Sequence, residues 1–174
     1  MSTDVQLEED QLEIRRRLPA LPERVWEYLT DPALRKRWFC AGETGNEVGG
    51  TVVFDFDHSR ISASPPPKTV GCGDPITFEG TITAYDPPRL LAFSWPEESG
   101  ASTHVTITLT PDGDGTVLHL LHTRLVRDEH RWGAAAGWHA HLDLLVDLVS
   151  GCEARDFWVH YAPLEEMYWK RVGG

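Results

Sequence analysis

Two histidines in apolar surroundings are the residues of this sequence whose type and spacing suit ligand recognition or acid–base chemistry. His122 shares an alternating strand face with Leu118 and Leu120, and His141 shares a helical face with Trp138. If both faces point inward, two imidazoles line one cavity. A buried imidazole needs partners, because each unsatisfied polar group costs about 1–3 kcal/mol. The sequence therefore predicts a cavity with two polar groups, or two satisfied core histidines.

Several groups could satisfy these imidazoles. A ligand carbonyl or hydroxyl, the side chain of Arg16, a tryptophan N–H or a water molecule would each serve. Arg16 falls on the apolar side of an alternating strand, so either the strand frays there or this arginine reaches a polar spot in the interior. Apolar walls with a few convergent polar groups are typical of small-molecule pockets. The predicted ligand-binding residues are Phe54, Phe56, Phe78, Phe93, Trp95, His122, Trp138 and His141.

Other catalytic or metal-binding motifs are missing from the sequence. There is no nucleophile elbow, no Walker A loop, no dinucleotide fingerprint and no H-E-x-x-H. His139 and Asp143 have i, i+4 spacing, but they fall on a helix face that we expect to meet solvent, and two ligands do not make a metal site. We predict no metal and no cofactor, and we assign no catalytic residue.

The element that must carry His141 is the helix predicted over residues 137–150, GWHAHLDLLVDLVS. Its apolar residues recur at steps of three and four on one face, while the opposite face is mostly polar. Such a helix buries its apolar face on a sheet. We expect helix and sheet to grip a cavity between them, with Gly151 ending the helix.

The rest of the chain predicts short strands joined by turns. A strand over residues 12–18 precedes two short helices, which begin at Pro22 and Pro32, and about five consecutive antiparallel strands follow. Residues 57–75 contain three consecutive prolines and predict a long loop, which is a flap over a pocket, a mobile hairpin tip or a solvated loop without function. A last short helix is predicted from Leu164 to Val172, opened by Pro163.

Composition limits the classes of partner. Of 174 residues, 41% are hydrophobic and the formal net charge is −11, which argues against nucleic acid and against anionic membranes. Cys40, Cys72 and Cys152 are odd in number and far apart, so we expect three unpaired thiols. The N-terminal residues lack a signal-peptide pattern, and no apolar run approaches the roughly 18 residues of a membrane helix. We expect a cytoplasmic protein without membrane insertion.

The order and spacing of several short motifs resemble a known superfamily. The motifs are PERVW at residues 22–26, TDP at 30–32, VGG at 48–50, DPPRL at 86–90 and FSW at 93–95. The single residues Trp38, Gly80, His122 and Trp138 add to them. Together they resemble the SRPBCC superfamily of START lipid-transfer and birch-pollen-allergen-like proteins, and within it the AHSA-type homologues of the heat-shock-chaperone ATPase activator. The similarity spans residues 10–150. The 57–75 loop is longer than that branch leads us to expect.

The resemblance implies an α+β helix-grip fold, in which a curved antiparallel sheet wraps around a long C-terminal helix, with two short helices after the first strand. We expect a flexible tail over residues 1–9 and a single helix-grip domain over residues 10–172. The resemblance does not imply a reaction, because this fold hosts many functions.

Three functions fit these observations. The first is binding of a hydrophobic, lipid-like or aromatic small molecule in the cavity between sheet and helix. The second is an enzyme of the cyclase, dehydratase or hydrolase type that uses the same cavity, with a histidine as general acid–base. The third, from the resemblance alone, is a cochaperone-like interaction module with a chaperone partner. Strand residues 116–123 are apolar on both sides, which leaves room for a homodimer contact.

Overall fold

The computed structural model describes residues 3–70, 75–96 and 102–173. In these residues seven strands form one antiparallel sheet with the order β1-β2-β7-β6-β5-β4-β3. The strands are β1 (Asp4–Leu7), β2 (Gln11–Leu18), β3 (Thr51–Phe56), β4 (Ile76–Asp86), β5 (Leu90–Pro96), β6 (Ser102–Asp112) and β7 (Gly115–Thr123). Strands β3 to β7 pair consecutively as a meander, and β2 joins β7 to complete the sheet.

Four helices accompany the sheet in the described part of the chain. They are α1 (Pro22–Thr30), α2 (Pro32–Arg35), α3 (Asp128–Val149) and α4 (Phe157–Val172). The curved sheet, the two short helices after β2 and the long helix α3 confirm the predicted α+β helix-grip fold. The core lies between the inner sheet face and α3, which makes the long helix the natural wall of any internal site.

Local sequence signals explain where these elements begin and turn. Asp31 ends α1 and caps α2, because its carboxylate accepts a hydrogen bond of 2.8 Å from the Ala33 N–H. Gly113 adopts a φ of 61° in the β6–β7 hairpin, a conformation that glycine reaches without strain. At Gly80 an added Cβ would lie 2.1 Å from the Ser94 carbonyl oxygen, so the close approach of β4 and β5 requires glycine there.

Helix α3 begins nine residues before the predicted start at Gly137. The first half of the helix was missed because Asp128 to Ala136 is a mixture of polar and small residues without an apolar stripe. The predicted end is confirmed: Gly151 has a φ of 77°, its N–H bonds the Leu148 carbonyl at 3.1 Å, and the Cys152 N–H bonds the Asp147 carbonyl at 2.9 Å. These two bonds form a Schellman motif.

Helix α4 is longer than predicted. It starts at Phe157 rather than at Leu164, with Asp156 as the capping residue, and Pro163 lies inside the helix rather than at its beginning. The prediction was wrong because Pro163 was interpreted as a start signal, although Asp156 is a stronger one: its carboxylate accepts from the Val159 N–H at 3.2 Å. The added turns let α4 pack along α3.

The expected flexible tail also needs correction. Asp4–Leu7 forms strand β1, which pairs antiparallel with β2 through the register Val5 to Ile14. Val5 and Leu7 alternate with polar residues and pack against the core, which explains why this segment adds an edge strand. The assignment of residues 10–172 to a single domain remains a prediction.

The predicted loop over residues 57–75 contains a short 3-10 helix, His58–Arg60, followed by turns up to residue 70. Residues 71–74, which include Cys72, lie outside the described part. Cys40 and Cys152 are unpaired, as expected for these two. Burial raises the pKa of the Cys40 thiol to about 12, which makes it unreactive.

Candidate functional site

A cavity of about 300 Å³ lies between the inner face of the sheet and the N-terminal half of α3. Strands β3, β5 and β7 supply aromatic and imidazole rings to it, and α3 supplies three small residues, Gly133, Ala134 and Gly137, together with larger ones. The lining residues are Phe39, Phe56, Trp95, His122, Leu125, Glu129, His130, Gly133, Ala134, Gly137, Trp138 and His141. Phe39, Phe56 and Trp95 therefore face a helix that contributes Trp138 and, at Gly133 and Gly137, positions without a side chain.

Five of the eight predicted site residues line this cavity: Phe56, Trp95, His122, Trp138 and His141. Of the other three, Phe54 and Phe93 lie behind it, and Phe78 lines a neighbouring cavity of about 1030 Å³. Phe78 stacks on Phe54 with ring centroids 5.1 Å apart, and Phe54 and Phe93 border only a void of about 20 Å³. Phe54 and Phe93 support the wall, and the role of all eight residues in binding remains a prediction.

Both ring nitrogens of His122 belong to a continuous chain of hydrogen bonds. The indole Nε1–H of Trp138 donates to His122 Nδ1 at 3.1 Å, and His122 Nε2 lies 2.7 Å from Thr103 Oγ1. Because an indole N–H can only donate, Nε2 of the neutral ring carries the proton and donates to Thr103. Thr103 in turn donates to the Trp95 carbonyl at 3.3 Å. Of the partners considered for His122, the tryptophan N–H is the one the structure shows.

Burial keeps His122 neutral. The side chain is 3% exposed, and loss of hydration lowers its pKa to about 3, with a smaller contribution from the charge of His104. A neutral ring with a fixed tautomer is a rigid part of a wall. It is also a poor proton donor or acceptor near neutral pH, because both of its ring nitrogens already have protein partners.

His141 is similarly engaged. Its Nδ1 lies 2.7 Å from the main-chain carbonyl of Trp38, so Nδ1 carries the proton, and its Nε2 lies 3.3 Å from Nε2 of His58. In the neutral ring Nε2 is then the acceptor, and His58 donates. Burial lowers the pKa of His141 well below its ordinary value, and the neighbouring His58 lowers it further.

The partner His58 was not expected from the sequence. It belongs to the 3-10 helix and stacks on Phe157 of α4, with ring centroids 4.4 Å apart. No periodic pattern links residue 58 to residue 141, so only the tertiary structure could show this pair. The histidine pair joins the 57–70 segment, α3 and α4 at one point beside the cavity.

Phe39 is the main wall residue that the sequence analysis missed. Its ring stacks on Trp138 at 4.9 Å and on Trp38 at 5.1 Å, and its edge meets Phe56 at 5.0 Å. It lies after α2, outside any helix or strand, so no periodicity assigns it to a face. The doublet Trp38-Phe39 ahead of Gly42 was the available signal, because two adjacent aromatic residues in a short connection usually require burial.

Two glycines open the helical side of the cavity. Gly133 and Gly137 are interior positions of α3, and a Cβ added at either would meet no atom within 4 Å. Glycine inside a helix costs about 1 kcal/mol relative to alanine. Nothing in the described packing requires that cost, so the steric role of these residues is the free space that they leave.

A second cavity, of about 1030 Å³, adjoins the first across Phe56 and Trp95. It is bordered by the 57–70 segment and by Val70 and Pro75, which flank the undescribed residues 71–74. The 57–70 segment is anchored rather than loose, because Asp156 accepts hydrogen bonds from Ser62 Oγ at 2.6 Å and from the Ala63 N–H at 2.8 Å. The first cavity is the better-defined candidate site, since its walls lie wholly among described residues.

The other face of α3 is also buried, which corrects a prediction. Asp143, expected to meet solvent, is 5% exposed because α4 covers it. Its carboxylate pairs with Arg16 at 2.5 Å and with His160 Nε2 at 2.7 Å, and His139 Nε2 lies at 3.5 Å. Burial raises the pKa of Asp143, but the His160 hydrogen bond and the Arg16 charge outweigh it, so the net pKa is below the ordinary value.

Arg16 thus reaches a polar spot of the interior, the second of the two alternatives for this residue. Its guanidinium also contacts the Thr3 hydroxyl. Among the described residues no group of three or more histidine, cysteine, aspartate or glutamate side chains has a geometry that could hold a metal ion. The His139–Asp143 spacing belongs to an ion-pair cluster.

These features define the class of the protein. A long helix clasped by a curved seven-stranded antiparallel sheet, with an aromatic cavity between them, is the helix-grip architecture. The family model described as "Activator of Hsp90 ATPase homolog 1-like protein" matches residues 19–150. The chain belongs to this family, which confirms the resemblance. Proteins with this fold commonly bind hydrophobic ligands or act in cochaperone or cyclase roles.

Solved structures agree with this assignment. The protein encoded by gene BPP1335 from Bordetella parapertussis is 32% identical, with a TM-score of 0.83 over 97% of this chain and 90% of that one. CalU16 from Micromonospora echinospora is 23% identical, with a TM-score of 0.73 and full coverage of both chains, and shares the fold. None of the curated proteins matches this chain. No helix in the described residues is long and apolar enough to span a membrane.

Proposed function

We propose that this protein binds a hydrophobic, aromatic or lipid-like small molecule in the cavity between the sheet and α3. The observation that carries the proposal is the 300 Å³ cavity itself, with Phe39, Phe56, Trp95 and Trp138 around it. Small-molecule sites in proteins are concave, mostly apolar and typically about 300–1,000 Å³. A flat ring system of two or three fused rings matches the lower end of that range.

The wall is organised before any ligand arrives. The hydrogen bonds from Trp138 to His122 and from His122 to Thr103 fix the Trp138 ring, and Thr103 in turn bonds the main-chain carbonyl of Trp95. Phe39 stacks on Trp138 and so extends the same rigid unit. A rigid site loses little side-chain entropy on binding, which favours affinity. His122 and His141 act in this proposal as fixed ring surfaces.

Burial of the ligand supplies the affinity. A naphthalene ring that buries about 250 Å² of apolar surface gains roughly 6 kcal/mol at 25 cal/mol per Å². That gain corresponds to a dissociation constant of about 30 µM before the entropy cost of association is subtracted. We therefore expect small neutral probes to bind in the high-micromolar range and larger ring systems to bind more tightly.

The test is a titration with 2-naphthylmethanol followed by two-dimensional ¹H–¹⁵N NMR. The indole N–H signals of Trp138 and Trp95, assigned with Trp→Phe variants, should shift in a saturable way. Gly137→Leu places a side chain in the cavity and should weaken binding at least about tenfold, while its better helix propensity keeps the fold stable. Glu166→Leu, which adds the same side chain on the exposed face of α4, should bind like the parent protein. Equal binding by Gly137→Leu would place the ligand elsewhere.

An enzymatic role in the same cavity has less support. Both ring nitrogens of His122 and of His141 have protein partners, and burial lowers the pKa of each. A general base works best with a pKa near the operating pH. Native mass spectrometry of the freshly purified protein, followed by denaturing extraction, separates the two roles: a retained small molecule of defined mass supports binding, and its chemical conversion during incubation supports catalysis.

A cochaperone role rests on the family description alone. It predicts that the purified protein stimulates the ATPase of a heat-shock chaperone, and a steady-state ATPase assay measures this directly. The homodimer contact, the cytoplasmic location and the absence of a nucleic-acid partner likewise remain predictions.

A further inference from the structure

The interior of the cavity has few polar atoms left for a ligand. The His122 nitrogens bond Trp138 and Thr103, and the His141 nitrogens bond the Trp38 carbonyl and His58. A ligand group placed at these rings would have to break a buried hydrogen bond, and an unpaired buried polar group costs more than the new contact returns. The deep end of the cavity therefore favours an apolar ring and disfavours a ligand carbonyl or hydroxyl.

Apart from the two inner histidines, the charged and titratable side chains that line the cavity among the described residues lie at its mouth. They are Glu129 and His130, both in the first turn of α3. Glu129 is paired with Arg127, but that pair is exposed, with side-chain exposures of 55% and 58%. Exposed pairs hold each other weakly, so Glu129 can exchange its partner for a ligand at little cost.

The guanidinium of Arg131, near the mouth, is already engaged by other groups of the protein. Arg131 bonds the Glu8 and Glu9 carbonyls and pairs with Asp128. Arg127 is then the cation next to Glu129, and it is not among the lining residues. Among the described residues that line the cavity, Glu129 is thus the one aspartate, glutamate, lysine or arginine, and it lies one helical turn before Gly133.

We propose that the ligand is a cationic aromatic amphiphile, which buries an apolar ring system against Trp95, Trp138 and Phe39 and keeps its ammonium group at the mouth beside Glu129. This inference rests on the proposed function and adds to it the class of ligand. It assigns Glu129 as the residue that determines specificity, and it assigns the two inner histidines to holding the wall.

Three naphthalene probes of nearly equal size test this inference: 2-naphthylmethylammonium, 2-naphthylmethanol and 2-naphthoate. In low-salt buffer we expect the ammonium probe to bind about tenfold more tightly than the carboxylate probe, because one fixed charge near the mouth acts with opposite sign on the two. The alcohol should fall between them. The Trp138 indole signal reports each titration and places the ring at the same site.

Charge-neutral variants sharpen the test. Glu129→Gln keeps the side-chain length and should reduce the preference for ammonium over carboxylate to about twofold or less, while the affinity for the alcohol stays unchanged. Arg127→Gln, which removes the competing partner, should increase the preference. Glu153→Gln, an exposed position after α3 that does not line the cavity, should change nothing.

The outcomes separate this inference from the function on which it rests. If none of the three probes binds, the proposed function fails. If all three bind with equal affinity, or if Glu129→Gln leaves the preference intact, cavity binding stands and the assignment of Glu129 is overturned. Preferred binding of 2-naphthoate would also overturn it and would assign charge selection to Arg127 and the α3 N-terminus.

Discussion

The two buried faces of α3 provide partners for their buried polar atoms in different ways. On the cavity side the buried polar groups are neutral and pair through hydrogen bonds, which run from Trp138 through His122 to Thr103. On the α4 side the buried polar groups are charged and form ion pairs, such as that of Asp143 with Arg16. Asp143 follows His141 by two residues, about 200° around the helix, so the hydrogen-bonded face and the ion-paired face lie on opposite sides of the same helical turn of α3.

The difference shows what each side is suited to do. A neutral closed network leaves an apolar wall that can admit a ring without losing an ion pair. A charged cluster fixes geometry but excludes apolar guests, because removing one partner leaves an uncompensated buried charge. The α4 side is therefore suited to holding the helices in place, and the cavity side to binding.

The largest expected effect comes from breaking the charged side. Asp143→Ala leaves Arg16 buried without its carboxylate and should lower the free energy of unfolding by about 3–5 kcal/mol, measured by urea denaturation. Asp86→Ala, which removes an exposed pair with Arg89, is the control and should cost less than about 1 kcal/mol. A double replacement, Arg16→Met with Asp143→Leu, should recover most of the loss; no recovery would mean that the pair is not the source of the effect.

A smaller effect is expected from titrating the neutral side. The folded pKa of His122 is about 3, below its unfolded value of 6.5, so the unfolded state binds the proton first as pH falls. Stability is therefore lost below pH 6.5, by about 2 kcal/mol for this group between pH 7 and pH 5. Burial lowers the folded pKa of His141 and His139 as well, and these groups add to the same trend.

The matched variant for this measurement is His122→Phe, which keeps a ring at the site and removes the titrating group. Its stability between pH 7 and pH 5 should fall by about 2 kcal/mol less than that of the parent protein. Asp143 does not contribute in this window, since its folded pKa lies below 3.8 and its stabilisation is lost only in stronger acid. Parallel pH curves for parent and variant would contradict the buried neutral state of His122.

The smallest expected effect comes from the end of the hydrogen-bond chain. Thr103→Val removes the acceptor of the His122 Nε2–H and should lower the free energy of unfolding by about 1–2 kcal/mol. Thr106→Val, on the outer sheet face of the same strand, should be nearly neutral. If both variants unfold alike, the chain does not stabilise the wall.

Much of the fold could be predicted from the sequence because its signals are local. Alternating apolar residues and turn motifs such as Asp112-Gly113 fix strands β3 to β7, and Pro22 and Pro32 fix the starts of two helices. The alternation also places His122 on the inner face with Leu118 and Leu120, although β7 is apolar on both sides. Burial of that face depends on α3, which the pattern within β7 cannot show.

The remaining parts could not be predicted because they depend on contacts between distant segments. Asp143 was assigned to solvent since its helix face is polar, but α4 begins seven residues earlier than expected and covers it. Phe39 and His58 lie outside regular elements, where no period assigns a direction. The hydrogen bonds of the two inner histidines involve Thr103 and the Trp38 carbonyl, and no spacing in the sequence connects these groups to the histidines.

The carboxylate of Asp156 joins two segments that are far apart in the chain. It caps α4 through the Val159 N–H and holds the 57–70 segment through Ser62, Ala63 and Ser64. These hydrogen bonds, with Ser62 first, lower its pKa to about 2, so the clasp persists through most of the acidic range. As a consequence, α4 and the 57–70 segment form one cooperative unit of local unfolding, in which neither can open to solvent without releasing the other.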